Sequence, residues 1–394
     1  MDTIHEHATR LTEKTVATRR DLHMHPETAF QEVRTAGVVD ARLRELGLTP
    51  RTGVGGTGVV AVWDSGRPGP TVLARADMDA LPVPDAKDVP YASQTPGNAH
   101  ACGHDGHTAV LLSVAETVVG MGDALAGRVV FVFQPAEEVM PGGAEAMLND
   151  GALDGLTIDH VTGLHLSSQY PTGTVALRAG PAMAATDTYD LIVRGRGGHA
   201  ARPQETIDPI VAGAELVQAL QTLVSRELDP IDRAVISVTR FEAGSAYNVI
   251  PQEAHLAGTL RTFEADTRER LRERIHEVAA SVAATHRAEA DVQWTSGFPA
   301  VVNDPAEADR LRAVAARVVG PERVLEMAPI MGGDDMAYWL QAAPGCYAFV
   351  GASGGEATAW PHHHPNFDVD EAALPIAVEV LASSVVDALG GPTG

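Results

Sequence analysis

With 394 residues, 45% of them hydrophobic and 21% charged, the chain has room for two domains, or for one large domain carrying an insertion, and the balance of a soluble globular protein. A formal net charge of −23, from 52 acidic and 29 basic residues, argues against a nucleic-acid partner, whose phosphate backbone needs clustered Lys and Arg. No apolar run reaches the roughly 18 residues of a membrane span, no signal-peptide core opens the chain, and two cysteines, Cys102 and Cys346, make no disulfide framework, so the expected setting is the cytoplasm.

The first ~45 residues read as helix, with Leu11, Val16 and Leu22 on one face and a glycine C-cap after "TAGVVDARLRELG". In "GVGGTGVVAVW", Gly53, Gly55 and Gly58 fit the dinucleotide fingerprint G-x-G-x-x-G. That motif must follow a strand and open a helix, whereas here the glycines precede the apolar run Val59–Trp63, which predicts a turn before a strand. Four segments then share one design. "TVLARADMDALP" ends at Asp77 and Asp79, "GRVVFVFQPAEE" at Glu137 and Glu138, and "DHVTGLHLS" at His165, while "GCYAFVGAS" leads into "AWPHHHPNFDVDE". Helical stretches such as "HTAVLLSVAETVVGMG" separate them. Alternating strands and helices predict an α/β domain, a mainly parallel sheet with helices on both faces. Ligands bind such sheets beyond the carboxyl ends of the strands.

The middle of the chain differs. "ATDTYDLIVRGRGGHAA" and "AVISVTRFEAGSAYNVIPQEAHLAGTLRTF" alternate like half-exposed antiparallel strands and are accompanied by two helical stretches. They predict an inserted α+β domain over 184–296, with 1–183 and 297–394 forming the first domain.

Chemistry concentrates in "AHACGHDGHTAV", which packs Cys102, His104, Asp105 and His107 together. Singly, a histidine is more often structural, an acidic pair such as Glu137–Glu138 solvated, and a cysteine a small buried hydrophobe. Together at successive strand ends, Cys, His and carboxylate make a divalent-metal ligand set, with Cys102 as a thiolate able to bridge two ions. Zinc-finger logic does not apply, because no C-x-x-C is present.

The chain resembles the dinuclear-metal aminoacylase/carboxypeptidase superfamily. Within it, it is similar to the hippurate hydrolases, indole-acetyl–amino acid hydrolases and N-acyl-amino acid deacetylases. The resemblance runs nearly end to end through "RRDLHMHPETAFQE", "RADMDALP", "HACGHDGHTA", "QPAEE", "GLH", "GRGGHAARPQ", "NVIPQEAHLAGTLRTF", "GGDDMAYW" and "HHPNFDVDE". It implies two divalent metal ions per chain, Zn, Mn, Co or Ni, bridged by Cys102. His104 and His165 complete one site; Glu138 and His364, the histidine directly before the Pro-x-Phe segment, complete the other. Asp79 is expected to orient a ligand histidine, and His107 to be structural. Glu137 is implied as general base and then general acid, and His199, in an inserted lid and dimerisation domain, as an oxyanion donor that can come from the partner subunit. Its alternative is to cap a turn in its own chain.

Asn248 and Arg261 are candidate substrate contacts, Arg suiting a carboxylate, although Arg261 can equally be a surface arginine on a lid strand. Asp334 and Asp335 line the pocket or cap the helix that follows. The resemblance implies metal-dependent hydrolysis of N-acyl amino acids, a small-molecule substrate, by a homodimer or higher homo-oligomer formed through the inserted domain. The alternatives are a metallo-dipeptidase or carboxypeptidase, and a metal-free binding protein with an inactive site.

Overall fold

Four buried apolar runs form the parallel centre of an eight-stranded sheet. The structure, a computed structural model, describes residues 3–391. The central strands, in spatial order, are Arg128–Gln134, Thr71–Asp77, His160–Pro171 and Gly345–Ser353, all parallel. Thr71–Asp77 is buried along its whole length, as expected of a parallel strand covered on both faces. Antiparallel Arg51–Val54 and Gly58–Asp64 extend one side, and Val175–Leu177 with Val324–Glu326 the other. The glycine-rich stretch is the turn of the Arg51–Asp64 hairpin. Gly55 sits at φ 64°, where an added Cβ would lie 2.5 Å from the Met147 backbone nitrogen, so the glycine serves a close backbone approach.

Alternate side chains of each strand feed opposite layers. Val72, Ala74 and Ala76 join one core with helices His104–Gly120 and Ala373–Ala388. On the other face Arg75 and Gln134 meet Asp335 and Trp339, at helix Met336–Ala342. The helical N-terminal ~45 residues form two helices. Ile4–Met24 opens with a capping box between Thr3 and Glu6, and Val33–Glu45 follows a break at His25–Pro26. Proline has no N–H to continue the ladder and pushes its predecessor out of the helical region.

The chain divides into two compact units. One holds the residues up to Ala182, Val301–Pro329 and those from Asp334 onward; the other holds Met183–Ala300 and Ile330–Gly333. The second unit thus runs four residues beyond the predicted 296 and takes back a short later segment. It is an antiparallel sheet, in order Ala234–Ala243, Glu253–Thr262, Ala185–Arg194, Glu289–Ser296. Helices Pro209–Thr222 and Ala265–Thr285 share its core through Leu216, Leu220, Leu271 and Ile275. Among the described residues no helix is long and apolar enough to cross a membrane.

Candidate metal centre

The central strands deliver their polar residues to one edge of the sheet. Thr71–Asp77 leads to Asp79, and Arg128–Gln134 to Glu137 and Glu138. His165 lies within His160–Pro171, and the loop after Gly345–Ser353 carries His362–His364. Cys102 arrives on a loop pinned by reciprocal backbone hydrogen bonds between Leu81 and Ala99. Gly103, at φ 94°, then turns the chain into the helix that begins at His104.

Donor atoms converge there in overlapping sets. Cys102, His104 and His165 form one, and Cys102, Glu138 and His363 another, each with its ligating atoms within 4.8 Å of one another. The Cys102 Sγ is 3.5 Å from His165 Nε2 and 3.6 Å from His362 Nδ1. His104 Nδ1 donates to the Asp79 carbonyl at 2.9 Å, with the Asp79 carboxylate at 3.2 Å. That leaves His104 Nε2 facing the cleft, 3.8 Å from Asp77 and 4.0 Å from both Glu137 and Glu138. His165 Nδ1 donates to the Leu166 carbonyl at 2.7 Å, which likewise turns its Nε2 toward Cys102. A backbone or carboxylate acceptor on one ring nitrogen, with the other left as a free lone pair, is how metal-binding histidines are held.

Two atoms in the cleft are buried without a hydrogen-bond partner among the described residues, His104 Nε2 and Glu138 Oε1. His363 Nε2 is 3.2 Å from that oxygen, an ion-pair contact when the ring is protonated. Orphaned buried polar atoms are costly in a protein interior, and a soft thiolate, imidazoles and carboxylates match a divalent transition metal. The residues therefore fit metal ions. Burial pushes the Cys102 thiol well up, and the Glu138 and Glu137 carboxylates push it further. Burial, then the Asp334 and Glu138 charges, raises Glu137 well above the usual carboxylate range. Anionic crowding of this kind is relieved by bound cations.

The structure places one expected ligand, His364, away from the other donors. His364 stacks on Trp360, with ring centroids 4.4 Å apart and planes 11° from parallel, and its Nδ1 accepts from the Asn366 N–H. His363 takes the place beside Glu138 instead. Its backbone is left-handed, φ 68°, with its N–H on the Ala101 carbonyl at 2.7 Å. That twist sends successive histidines in different directions, so His362 faces Cys102, His363 faces Glu138 and His364 faces away.

His107 is occupied on both nitrogens, by Asp77 at 2.6 Å and by the Leu166 N–H at 2.8 Å, so it braces strand against helix. Asp79 also accepts from the Glu138 N–H at 3.0 Å, tying His104 to the Glu138 loop. Asp334 accepts from the Met336 N–H at 2.7 Å and lies 3.3 Å from Arg75, while Asp335, at the N-cap position, binds buried Arg75, Gln134 and the Ala144 N–H. Arg75 and Asp77 form a buried ion pair beneath the cleft, at 2.6 Å. Both stand in the sequence as "RAD", but an arginine inside an apolar run carries no signal of what neutralises it.

The second unit holds the other candidates. His199 and Asn248 share one ribbon: His199 pairs with Val249, and the Ala200 N–H donates to the Asn248 carbonyl at 3.0 Å. His199 is exposed, and its Nδ1 accepts from the Ala201 N–H at 3.0 Å. The neutral ring therefore carries its proton on Nε2 and presents a donor. Arg261, on strand Glu253–Thr262, is half-buried and has no carboxylate within ion-pair reach among the described residues. Burial lowers its pKa.

A family model described as Peptidase family M20/M25/M40 matches residues 73–387. The Bacillus subtilis protein YhaA is 44% identical over 375 residues, covering 95% of this chain and 94% of that one. The N-acetylcysteine deacetylase of the same organism is 38% identical over 372 residues, covering 93% and 95%. A crystal structure of Bacillus subtilis YxeP, described as a dinuclear metal-binding peptidase from the M20 family, superposes with a TM-score of 0.85 at 34% identity, covering 98% of this chain and 100% of that chain.

Proposed function

Because this chain belongs to the peptidase family M20/M25/M40, we propose that it hydrolyses the amide bond of N-acyl amino acids, releasing a carboxylate and a free amino acid, with two divalent metal ions in the Cys102 cleft. The observation that carries this is the placement of Glu137 beside a cysteine–histidine–carboxylate set in which two buried atoms, His104 Nε2 and Glu138 Oε1, lack hydrogen-bond partners among the described residues. Cys102, His104 and His165 would hold one ion, and Cys102, Glu138 and His363 the other. Bound there, the ions supply Lewis acidity toward the scissile carbonyl and toward water. Zinc suits a thiolate with imidazoles, and manganese, cobalt and nickel accept the same donors.

Glu137 takes the proton of the attacking water and returns it to the departing amine nitrogen, so one group serves as base and then acid. Asp79 orients His104 while holding the Glu138 backbone. The antiparallel unit acts as lid and dimerisation domain, and His199 of the partner subunit donates its Nε2–H to the developing oxyanion. Supporting this, the ring is exposed with Nδ1 already occupied, and Ala234–Ala243 is a sheet edge with exposed Val235 and Phe241. Asn248 and Arg261 meet the substrate carboxylate. The enzyme acts in the cytoplasm, where its free cysteines stay reduced.

The test is hydrolysis of N-acetyl-methionine and hippurate by metal-loaded, chelated and reconstituted protein. Chelation abolishes activity and a divalent metal restores it. Glu137→Gln keeps both metals and loses about 10³-fold or more in kcat, whereas Glu138→Ala loses metal. Active protein without metal, or a Glu137→Gln variant of normal kcat, would overturn the assignment.

A further inference from the structure

Glu32 stands at the N-cap of helix Val33–Glu45, yet its side chain does not cap it. Glu27 does so instead, accepting from the Arg34 and Thr35 N–H groups at 3.0 and 2.8 Å. The Glu32 carboxylate, fully buried, turns the other way. Its Oε1 accepts from the Phe30 N–H at 3.0 Å and from the Ala136 N–H at 2.9 Å, while Oε2 accepts the Thr57 hydroxyl.

The two residues clamped by Oε1 share a second property. Phe30 and Ala136 both have left-handed backbones, φ 59° and 52°. Among the described residues only Arg287 and His363 are further non-glycine cases. A residue with a Cβ stays in that region only when its surroundings hold it there, and such residues gather at working sites. Ala136 directly precedes Glu137. The Gly143 N–H holds its carbonyl at 2.9 Å, and Asp79 holds the Glu138 N–H at 3.0 Å. Releasing Ala136 from Glu32 would let it return to an ordinary backbone and swing the peptide that aims Glu137.

We infer that Glu32 is a positioning residue for the reaction, its carboxylate fixing the left-handed turn at Ala136 and so the direction of Glu137. This rests on Glu137 being the proton-transfer group of the proposed hydrolysis. It predicts that the clamp acts on turnover rather than on metal or substrate binding. A glutamine at 32 keeps an oxygen for both N–H groups and can donate its amide to Thr57, and a glycine at 136 adopts a left-handed backbone without help.

The test compares Glu32→Ala, Glu32→Gln and Glu32→Ala/Ala136→Gly as metal-loaded enzymes on N-acetyl-methionine, together with hydrogen exchange at the Ala136 amide. Glu32→Ala should lower kcat by roughly 30-fold or more, with KM within about threefold and metal content unchanged. Glu32→Gln should stay within about threefold of wild type, and the added glycine should recover about tenfold of the loss. Exchange at Ala136 should quicken by at least about tenfold in Glu32→Ala and stay slow in Glu32→Gln. If Glu32→Ala does not fold, Glu32→Asp, one methylene shorter, is read in its place and should show the same kcat loss with metal retained. Wild-type kcat and slow Ala136 exchange in the variant, or an activity loss that only tracks lost metal and that glutamine does not rescue, would overturn the inference. A wild-type protein that hydrolyses nothing would instead overturn the proposed function, and the exchange and metal measurements would still judge the clamp.

Discussion

Three consecutive histidines differ in fate because of one dihedral angle. His363 at φ 68° places its ring on Glu138 and rotates His364 onto Trp360. His363→Ala should therefore drop metal content from two ions toward one per chain and cut kcat by about 100-fold or more. His364→Ala should keep both ions and lose only a stacked ring, a cost of about 1 kcal/mol. Elemental analysis of the two variants decides it, and equal metal loss would return His364 to the centre. The residue types of the cleft were legible in "HACGHDGH", "PAEE" and "GLH", since few other roles gather thiol, imidazole and carboxylate at strand ends. The choice among His362, His363 and His364 was not. A loop has no period to assign side-chain direction, as a strand or helix has. Glu32 was hidden for a related reason: it reads as an ordinary charge at a helix start, where the macrodipole alone would explain it.

At the scale of elements, apolar runs ending in Asp, Glu or His announced the parallel strands, because strands covered on both faces need continuous hydrophobic side chains. Helix Ile4–Met24 was less transparent. Its buried face carries Arg19 and His23 beside Leu11 and Leu22, so hydrophobic period alone misses half its packing. Arg19 pairs with Asp105 at 2.8 Å and Asp368 at 2.6 Å, and stacks on Tyr91. His23 joins Asp105 at 2.7 Å and reaches Asp85 at 3.3 Å. Asp85 anchors the long connection between strand Thr71–Asp77 and helix His104–Gly120, accepting also from the Lys87 side chain at 2.9 Å and the Ser93 N–H at 2.9 Å. Burial works to raise its pKa, but the His23, Lys87 and Ser93 donors hold it well below the usual range. A depressed carboxylate pKa adds stability that is present above the unfolded value of about 4 and lost as pH falls through the folded value. Asp85→Asn should thus cost about 1–3 kcal/mol at pH 7, roughly 1–5 °C in Tm, and the gap should begin to narrow below about pH 4 and shrink steadily as pH falls toward the folded value. Melting curves across pH 2–7 check this. A gap that stays constant or widens between about pH 4 and pH 2 would show that the ionised carboxylate is not what holds the connection.

At the scale of the whole molecule, the chain makes two units with separate cores, and the residues proposed for the reaction fall in both. Every proposed metal ligand lies in the α/β unit, while His199, Asn248 and Arg261 lie in the antiparallel one. An exposed sheet edge is a hazard that pairing with a second copy removes, and a symmetric dimer built on it presents the same residues twice. His199, exposed and with Nδ1 occupied by the Ala201 N–H, has a donor left on Nε2 for the role proposed in the partner's cleft. It is equally the residue that caps its own turn, so loss of activity in His199→Ala does not separate the two roles. Complementation does. His199→Ala chains keep Glu137 and the metal ligands; Glu137→Gln chains keep His199. In a mixed dimer, one site then combines Glu137 of one chain with His199 of the other. Subunits exchanged at equal ratio make about half the dimers mixed, so activity should rise to about one quarter of wild type, against about 10²–10³-fold losses in the His199→Ala parent. If His199 works within its own chain, no mixed dimer holds a complete site and activity stays at the level of the parents. An active enzyme that sediments only as a monomer would remove the shared site and leave the metal chemistry standing.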